Sequence, residues 1–412
     1  MMTIIEDLKQ RGILKAISSE EKFNNLPQGA AVYCGFDPTA TSLHLGNYIQ
    51  IANLIRFKNH GFKVYALLGG ATGMIGDPSF KDAERQLLDN ETILNNKNHI
   101  KAQLESFGLE VIDNYDFYKD MNILEFLRSV GKLVNVSYML AKDSVASRID
   151  KGLSFTEFSY QLIQGWDFLS LYKDKNVMIQ FGGSDQWGNI TTGLDMISTM
   201  FGNEHKALAI TANLLTDANG NKFGKSTGGG SLWLDSDKTK PYIMYQFLLN
   251  QPDSEVEKLL NWLTFLDKVE IDEILKLHNE NPAARIAQKA LAFNVIKQVH
   301  NEEEAKKAHL ASTILFSKDL NLTEIAVDEI EMLQDVLNTI ELKQNENLVS
   351  QLIAQGILKS KREAKEFIQN KALKVNLIPV DEESNLTSEI WNKKYALLHV
   401  GKKHIYLVKL VA

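Results

Sequence analysis

The sequence predicts an α/β protein in which a parallel-sheet domain comes first, a helical domain second and a small basic α+β domain last. Three observations predict this order. Short apolar runs rich in strand formers, at residues 30–36, 64–68 and 176–181, each lead through a turn into a helical pattern; strands alternating with helices build parallel sheets. From Pro241 to about Ser317 helical periodicity takes over, clearest at Tyr242–Leu249 and Ala283–Val299. Beyond that, residues 355–376 hold Lys359, Lys361, Arg362, Lys365, Lys371 and Lys374 against only Glu363 and Glu366.

Composition narrows the function classes. The chain has 412 residues, with 45 Lys+Arg against 52 Asp+Glu, giving a net charge of −7. A hydrophobic share of 44% and a charged share of 24% are ordinary for a globular chain of several domains. The single cysteine, Cys34, excludes a disulfide framework and a Cys-rich zinc site, and predicts a reducing compartment. The N-terminus lacks a cationic region leading into an apolar one, and no apolar run approaches the ~18 residues that span a bilayer. The expectation is a cytoplasmic protein without membrane contact. The mild negative charge argues against coating nucleic acid along the whole length but leaves room for a local basic face.

The motifs fall in order along the first domain. The strand AAVYCGF ends at Asp37-Pro38-Thr39 and is followed by a helical stretch from Leu45 to Phe57. A helix start offers unpaired amides and a positive dipole end to a phosphate, with His44 as a donor and Gly46 allowing close approach; read alone, the same residues also fit a capped turn. The strand Val64–Leu68 runs into Gly69-Gly70-Ala71-Thr72-Gly73-Met74-Ile75-Gly76-Asp77, where Asp77 suits an ammonium group or a simple turn. A helix over about Thr92–Phe107 and a helical insertion around 120–150 follow. On the helix Phe155–Tyr172, Tyr160, Gln164 and Asp167 stand at i, i+4 and i+7 and so share one face, while Phe158, Leu162, Trp166 and Leu169 form much of the other. That stripe fits a polar ligand, or water. The strand Asn176–Phe181 leads through Gly182-Gly183-Ser184-Asp185 into a helix, with Asp185 placed like a ribose-binding carboxylate or an N-cap. Finally, Lys222-Phe223-Gly224-Lys225-Ser226 precedes Thr227-Gly228-Gly229-Gly230, two lysines beside a glycine-rich loop that suits a polyphosphate or plain solvent. The segment Lys318–Glu346, with eight acidic and two basic residues, reads as a solvated connector with a little helix. These shifts predict domains at 1–235, 236–340 and 341–412.

Together, in this order and spacing, the segments CGFDPTATSLHLGN (34–47), GGATGMIGDPS (69–79), SFTEFSYQLIQGWDF (154–168), GGSDQWGNI (182–190) and KFGKS (222–226) resemble the bacterial-type tyrosyl-tRNA synthetases, class I aminoacyl-tRNA synthetases. The resemblance covers essentially the whole chain. HLGN departs from the first class I signature at Asn47, where many members have a second histidine, and KFGKS carries Phe223-Gly224 in place of the commoner Met-Ser.

The resemblance implies a Rossmann-like catalytic domain, a helical anticodon-side domain and an S4-like RNA-binding domain, the last matched by LVSQLIAQGILKSKREAKEFIQNKALKVN at 348–376. It implies that Tyr33 and Asp167 hold a tyrosine phenol, that Asp77, Tyr160 and Gln164 hold its ammonium, and that Gln180 and Gln186 complete the lining. Cys34, Gly183 and Asp185 would meet the ribose of ATP, with Gly35, Asp37 and Gly46 also on the nucleotide. Thr39, His44, Lys222 and Lys225 would bind its phosphates, with Asn47 and Ser226 completing the two signatures. Lys359, Lys361, Arg362, Lys365 and Lys371 would meet tRNA phosphates, which explains how a chain of charge −7 binds RNA. The implied partners are L-tyrosine, ATP as substrate, Mg²⁺ as its counter-ion, tRNA(Tyr) and a second copy of the chain, hinted at by the apolar segment near Phe126–Tyr138. No dedicated metal cage and no editing domain are expected. The tryptophanyl-tRNA synthetases share the fold and both signatures, and a catalytically retired RNA-binding scaffold is the alternative of a different class.

Overall fold

The computed structural model describes residues 2–77, 88–142, 145, 146, 149, 152–216, 223, 224, 230–316, 321–334, 336–401 and 404–411. The chain divides into two compact units, one of Met1–Thr239 with Gln251–Leu291, the other of Lys240–Asn250 with Ala292–Ala412.

The first unit is built on β1 (Leu14–Ile17), β2 (Ala31–Phe36), β3 (Lys63–Leu68), β4 (Glu110–Asp113), β5 (Val177–Gly183) and β6 (Leu208–Ala212). Their order across the sheet is β1-β6-β5-β2-β3-β4, parallel except where β1 runs antiparallel to β6. Every residue of β5 and of β6 is buried, so neither strand alternates regularly between apolar and polar residues. The three strands read from sequence are β2, β3 and β5. β1, β4 and β6 carried too little signal, the first two being four residues long and only partly buried.

From β2 the chain steps to β3 and β4 on one side and then returns through β5 and β6 on the other. The order therefore reverses between β2 and β5, and a crevice at such a switch point, outside the carboxyl ends of the strands, is where parallel sheets bind ligands. Helices Leu45–Asn59 and Trp187–Phe201 begin from those ends. Helix Phe155–Lys175 opens on Ser154, whose side chain accepts from the Glu157 amide, and closes on Asn176 at φ 57°, a left-handed position that asparagine tolerates. Its buried Leu162, Phe168, Leu169 and Leu171 pack in one cluster with Tyr33, Tyr65, Leu67, Val177 and Met196. Arg56 is buried and donates through Nη2 to the carbonyls of Asn261, Trp262 and Thr264 at 3.2, 2.9 and 2.8 Å. It thus satisfies the carbonyls at the C-terminal end of helix Asp253–Leu263, as a cation does there.

The second unit carries a sheet in the order β7-β11-β10-β8-β9, from β7 (Asn338–Lys343), β8 (Leu373–Val375), β9 (Ile378–Pro379), β10 (Tyr395–Val400) and β11 (His404–Val411). β7 is parallel to β11 and the other pairs are antiparallel. Helices Leu348–Ala354 and Lys361–Gln369 share a core with it.

The segment read as a solvated connector is more than that. Its Leu322, Ile330, Leu333 and Leu337 are buried with Trp391, Tyr395 and Leu407, and the Trp391 indole donates to the Ile325 carbonyl at 2.9 Å. The eight acidic residues hid a set of buried apolar ones, because a charge count says nothing about the face opposite the charges. β7 also runs across residue 340.

Candidate active site

β2 sets out the floor of the site. Tyr33 pairs in register with Tyr65 of β3 and Gln180 of β5, so Tyr33 and Gln180 stand on the same face of the sheet. Both are buried, and among the described residues neither the Tyr33 hydroxyl nor Gln180 Oε1 has a hydrogen-bond partner. Burial, followed by the charge of Asp167, holds the Tyr33 phenol well above its usual range. Cys34, the next residue, faces the other way and is also buried; burial pushes its thiol up to about 12, so it stays a neutral, weak donor. Gly35 is exposed, and a Cβ built on it would meet nothing within 4 Å.

The face of helix Phe155–Lys175 that reads as a polar stripe turns inward. Tyr160 and Asp167 are buried and Gln164 partly so, its Oε1 without a partner among the described residues. The Tyr160 hydroxyl donates to Asp37 Oδ2 at 3.1 Å, while the Thr72 hydroxyl donates to Asp37 Oδ1 at 2.6 Å. Asp167 is 1% exposed. Its Oδ2 accepts from Asn114 Nδ2 at 2.9 Å and its Oδ1 meets the Tyr118 hydroxyl at 2.7 Å. Burial pushes this carboxyl up to about 7, against the opposing pull of those two partners. Asn114 is fixed in turn, since its Oδ1 accepts from the Ala71 amide at 2.7 Å and its Nδ2 reaches Thr72 Oγ1 at 3.2 Å.

Asn114, Tyr118 and Thr72 were not singled out by sequence. The signal present was the polar-aromatic run Asn114-Tyr115-Asp116-Phe117-Tyr118 at the end of a strand, but β4 is too short to have announced itself. Glycines admit this arrangement. A Cβ on Gly69 would lie 2.1 Å from Asp37 Oδ1, and one on Gly70 2.1 Å from Asp113 Oδ1.

Asp77 accepts from Gln186 Nε2 at 2.9 Å, and Gln186 Oε1 accepts from Asn189 Nδ2 at 3.1 Å. The loops after β3 and β5 are thereby joined. Asp185 lies in the short 3₁₀ turn Ser184–Gln186, and a Cβ on Gly183 would stand 2.5 Å from Asp185 Oδ1.

His44 and Asn47 form a reciprocal cap on helix Leu45–Asn59. The Asn47 amide donates to His44 Nδ1 at 3.3 Å, and the His44 amide donates to Asn47 Oδ1 at 3.1 Å. With Nδ1 as acceptor, a neutral His44 carries its proton on Nε2. A Cβ on Gly46 would press on the His44 ring at 2.9 Å and on the Phe223 carbonyl at 3.2 Å. Gly224, at φ +93°, lies against the Gly46 amide, and the Leu45 amide donates to the Leu232 carbonyl at 2.8 Å. The two signature segments therefore meet at Gly46. Thr39 is exposed on the loop before this helix. Lys222, Lys225 and Ser226 lie outside the described residues. Lys359, Lys361, Arg362, Lys365 and Lys371 are all exposed in the second unit.

Chemically, the first unit gathers buried polar groups suited to the polar ends of a small amphipathic molecule, and a helix start at which His44 Nε2 can donate to a phosphate.

Comparison with known proteins agrees with this picture. The family description "tRNA synthetases class I (W and Y)" matches residues 27–317, and "Tyrosine--tRNA ligase SYY-like C-terminal domain" matches residues 329–408. The chain is 58% identical over 409 residues to the tyrosine–tRNA ligase of Mycoplasmopsis synoviae, covering 99% of this chain and 100% of that protein. It is 54% identical to that of Mycoplasmopsis agalactiae, covering 100% of both. Among solved structures, a C-terminally truncated mitochondrial tyrosyl-tRNA synthetase of Aspergillus nidulans superposes with a TM-score of 0.71 at 29% identity, over 77% of this chain and 95% of that one. The tryptophanyl-tRNA synthetase of Plasmodium falciparum shares the fold, with a TM-score of 0.53 at 15% identity over 79% of this chain and 87% of that one.

Proposed function

The chain belongs to the class I tRNA synthetases of the tryptophan and tyrosine group, and from that premise we propose that it charges tRNA(Tyr) with tyrosine. A carboxylate oxygen of tyrosine attacks the α-phosphorus of ATP, forming tyrosyl-adenylate as the bond to pyrophosphate breaks. A hydroxyl of the terminal tRNA ribose then attacks the tyrosyl carbonyl carbon, and AMP leaves.

The observation that carries this reading is the inward-turned stripe on helix Phe155–Lys175. A stripe kept for solubility would face water, whereas Tyr160 and Asp167 are buried and tied to Asp37, Asn114 and Tyr118. Asp167 and Tyr33 take the substrate phenol, the first accepting its proton and the second donating to its oxygen. Phenylalanine in the same place leaves the buried Tyr33 hydroxyl without a partner and Asp167 with only Asn114 and Tyr118, which costs more than an exposed hydrogen bond is worth. Tyr160, Gln164 and Asp77 surround the ammonium, with Gln180 and Gln186 on the remaining sides. Cys34, Gly183 and Asp185 face the ribose, and Gly35, Asp37 and Gly46 shape the nucleotide's bed.

Thr39 and the Nε2–H of His44 meet the phosphates. Lys222 and Lys225, with Ser226, add charge as pyrophosphate departs. Interactions that tighten on the departing group favour the transition state over bound ATP and so raise the rate. Mg²⁺ would accompany ATP as its counter-ion, since Thr39, His44, Lys222 and Lys225 are donors to phosphate rather than ligands for a cation. Asn47 acts through the cap that orients His44.

The second unit supplies an S4-like basic face for tRNA. Domains at 1–235, 236–340 and 341–412 are a working division. The reaction takes place in the cytoplasm. The enzyme is a homodimer, a reading supported by Leu124 at 74% and Phe155 at 72% exposure, with Ile123, Leu127, Val136 and Tyr138 exposed nearby in sequence.

Tyrosine-dependent exchange of pyrophosphate into ATP tests the proposal. Exchange with tyrosine alone among the amino acids is expected. Exchange with tryptophan and not tyrosine would give the tryptophan reading, and no exchange at all would end the proposal.

A further inference from the structure

The Tyr118 hydroxyl has more neighbours than protons. It lies 2.7 Å from Asp167 Oδ1 and 2.7 Å from the Ile163 carbonyl oxygen. A phenol carries one proton and a carbonyl has none to give. The three oxygens can therefore stay together in two ways. Tyr118 donates to an ionised Asp167, or Tyr118 donates to Ile163 while a protonated Asp167 donates to the Tyr118 oxygen. Asn114 Nδ2 serves the other carboxyl oxygen in both.

The position is held from both sides. Ile163 and Asp167 are one turn apart on helix Phe155–Lys175, so Tyr118 bridges two levels of the helix that forms the pocket wall. Tyr118 also lines an apolar cavity of about 420 Å³ with Met74, Ile75, Phe126, Leu162 and Ile163, which leaves the hydroxyl as the polar end of an otherwise greasy ring.

We propose that Tyr118 is a positioning residue for amino-acid recognition, its hydroxyl aiming the Asp167 carboxyl and exchanging partners between Asp167 and Ile163 as that carboxyl gains or loses its proton. This rests on the tyrosine-activating reading above. In the ionised state Tyr118 occupies one acceptor site of Oδ1 and Asn114 one of Oδ2, and the substrate phenol takes an acceptor site that remains. Binding of tyrosine then draws Asp167 to its ionised form: the carboxyl proton leaves for solvent, and the Tyr118 proton swings from Ile163 to Oδ1.

The groups that face Asp167 set where this happens. Asp37 after β2 and Asp113 at the end of β4 oppose a further negative charge, and burial does so more strongly, whereas Tyr118 and Asn114 favour the ionised form. Tyr33 from β2 and Tyr160 from the same helix feel its charge as neutral phenols. Removing the Tyr118 hydroxyl withdraws one stabiliser of the charged form, so the carboxyl titrates at higher pH.

The experiment is Tyr118→Phe in the full chain, assayed by tyrosine-dependent pyrophosphate exchange from pH 5.5 to 9. The Michaelis constant for tyrosine is expected to rise about five- to tenfold, the value for ATP to stay put, and the loss to fall on KM rather than kcat. The acid limb of kcat/KM for tyrosine is expected to move to higher pH. An unmoved limb with an unchanged tyrosine KM overturns the proposal, as does a uniform loss in both substrates with a lowered melting temperature. An inactive parent enzyme would instead overturn the functional reading. Should the variant fail to fold, calorimetry of tyrosine binding to the unaltered enzyme, in two buffers of different ionisation enthalpy near pH 7, reads the proton directly. Release of a fraction of one proton supports the exchange, and none refutes it.

Discussion

Asp167 and Lys361 are both charged residues on helices, yet their surroundings differ in every respect that matters. Asp167 is buried, and Asn114 and Tyr118 each hold one of its oxygens. Lys361 stands in water beside Lys359, Arg362 and Lys365, and the ion pair of Lys365 with Glu382, at 3.5 Å, is exposed on both sides. A buried carboxyl without its partners is expensive, so geometry there is dictated atom by atom. An exposed ammonium is solvated whichever way it points, so what counts on the basic face is the number of charges near one another. The pocket selects by shape and hydrogen bonding, and the basic face attracts by sum.

That contrast can be broken, and the largest effect should come first. Asp167→Ala is expected to lower kcat/KM for tyrosine activation by at least about a hundredfold while phenylalanine activation changes little, because the substrate phenol loses the buried acceptor that Asn114 and Tyr118 hold in place. A change of less than threefold for tyrosine would show that the pocket does not depend on this carboxyl.

Replacing Lys359, Lys361, Arg362, Lys365 and Lys371 together by alanine should leave pyrophosphate exchange intact and raise the KM for tRNA by about tenfold or more at moderate salt. The salt dependence of tRNA binding should flatten by somewhat under one unit of log–log slope for each phosphate no longer neutralised. Equal loss of exchange and charging would contradict the division of labour. Any single one of the five, Lys359→Ala for instance, should change tRNA binding by no more than about threefold.

The ionisation of Asp167 gives a prediction about stability. Its carboxyl is held up at about 7 in the folded chain, above the value in the unfolded chain. Between about pH 4 and 7 the folded state thus binds more protons than the unfolded one, and this group's contribution falls as pH rises through that window. Urea unfolding at several pH values should show that slope shrinking in Asp167→Asn; an identical slope would mean that the group titrates normally. Smallest of all, Asn47→Ala removes half of the reciprocal cap on helix Leu45–Asn59 and should cost about 1 kcal/mol in the same measurement. If ATP affinity falls much further than stability does, Asn47 touches the nucleotide as well as His44.

Much of this was written in the chain itself. β2, β3 and β5 were legible because each is a largely apolar run ending at a turn, and burial on both faces demands such runs. The i, i+4, i+7 spacing of Tyr160, Gln164 and Asp167 placed them on one face, since helical geometry is local. The motifs themselves identified the family. The basic stretch in 355–376 was likewise a matter of counting.

What the chain could not state alone is which face of that helix turns inward, for a polar stripe reads the same beside water or beside a ligand. Only the packing of the turn after β4 against that helix puts Asn114 and Tyr118 on Asp167, residues about fifty positions away. Tertiary structure also decided that the acidic segment after residue 318 hides a buried face. The physical reason is the same in each case. Periodicity fixes how side chains are arranged on one element, whereas burial and hydrogen-bond partners belong to pairs of elements, and those pairs exist only once the chain has folded.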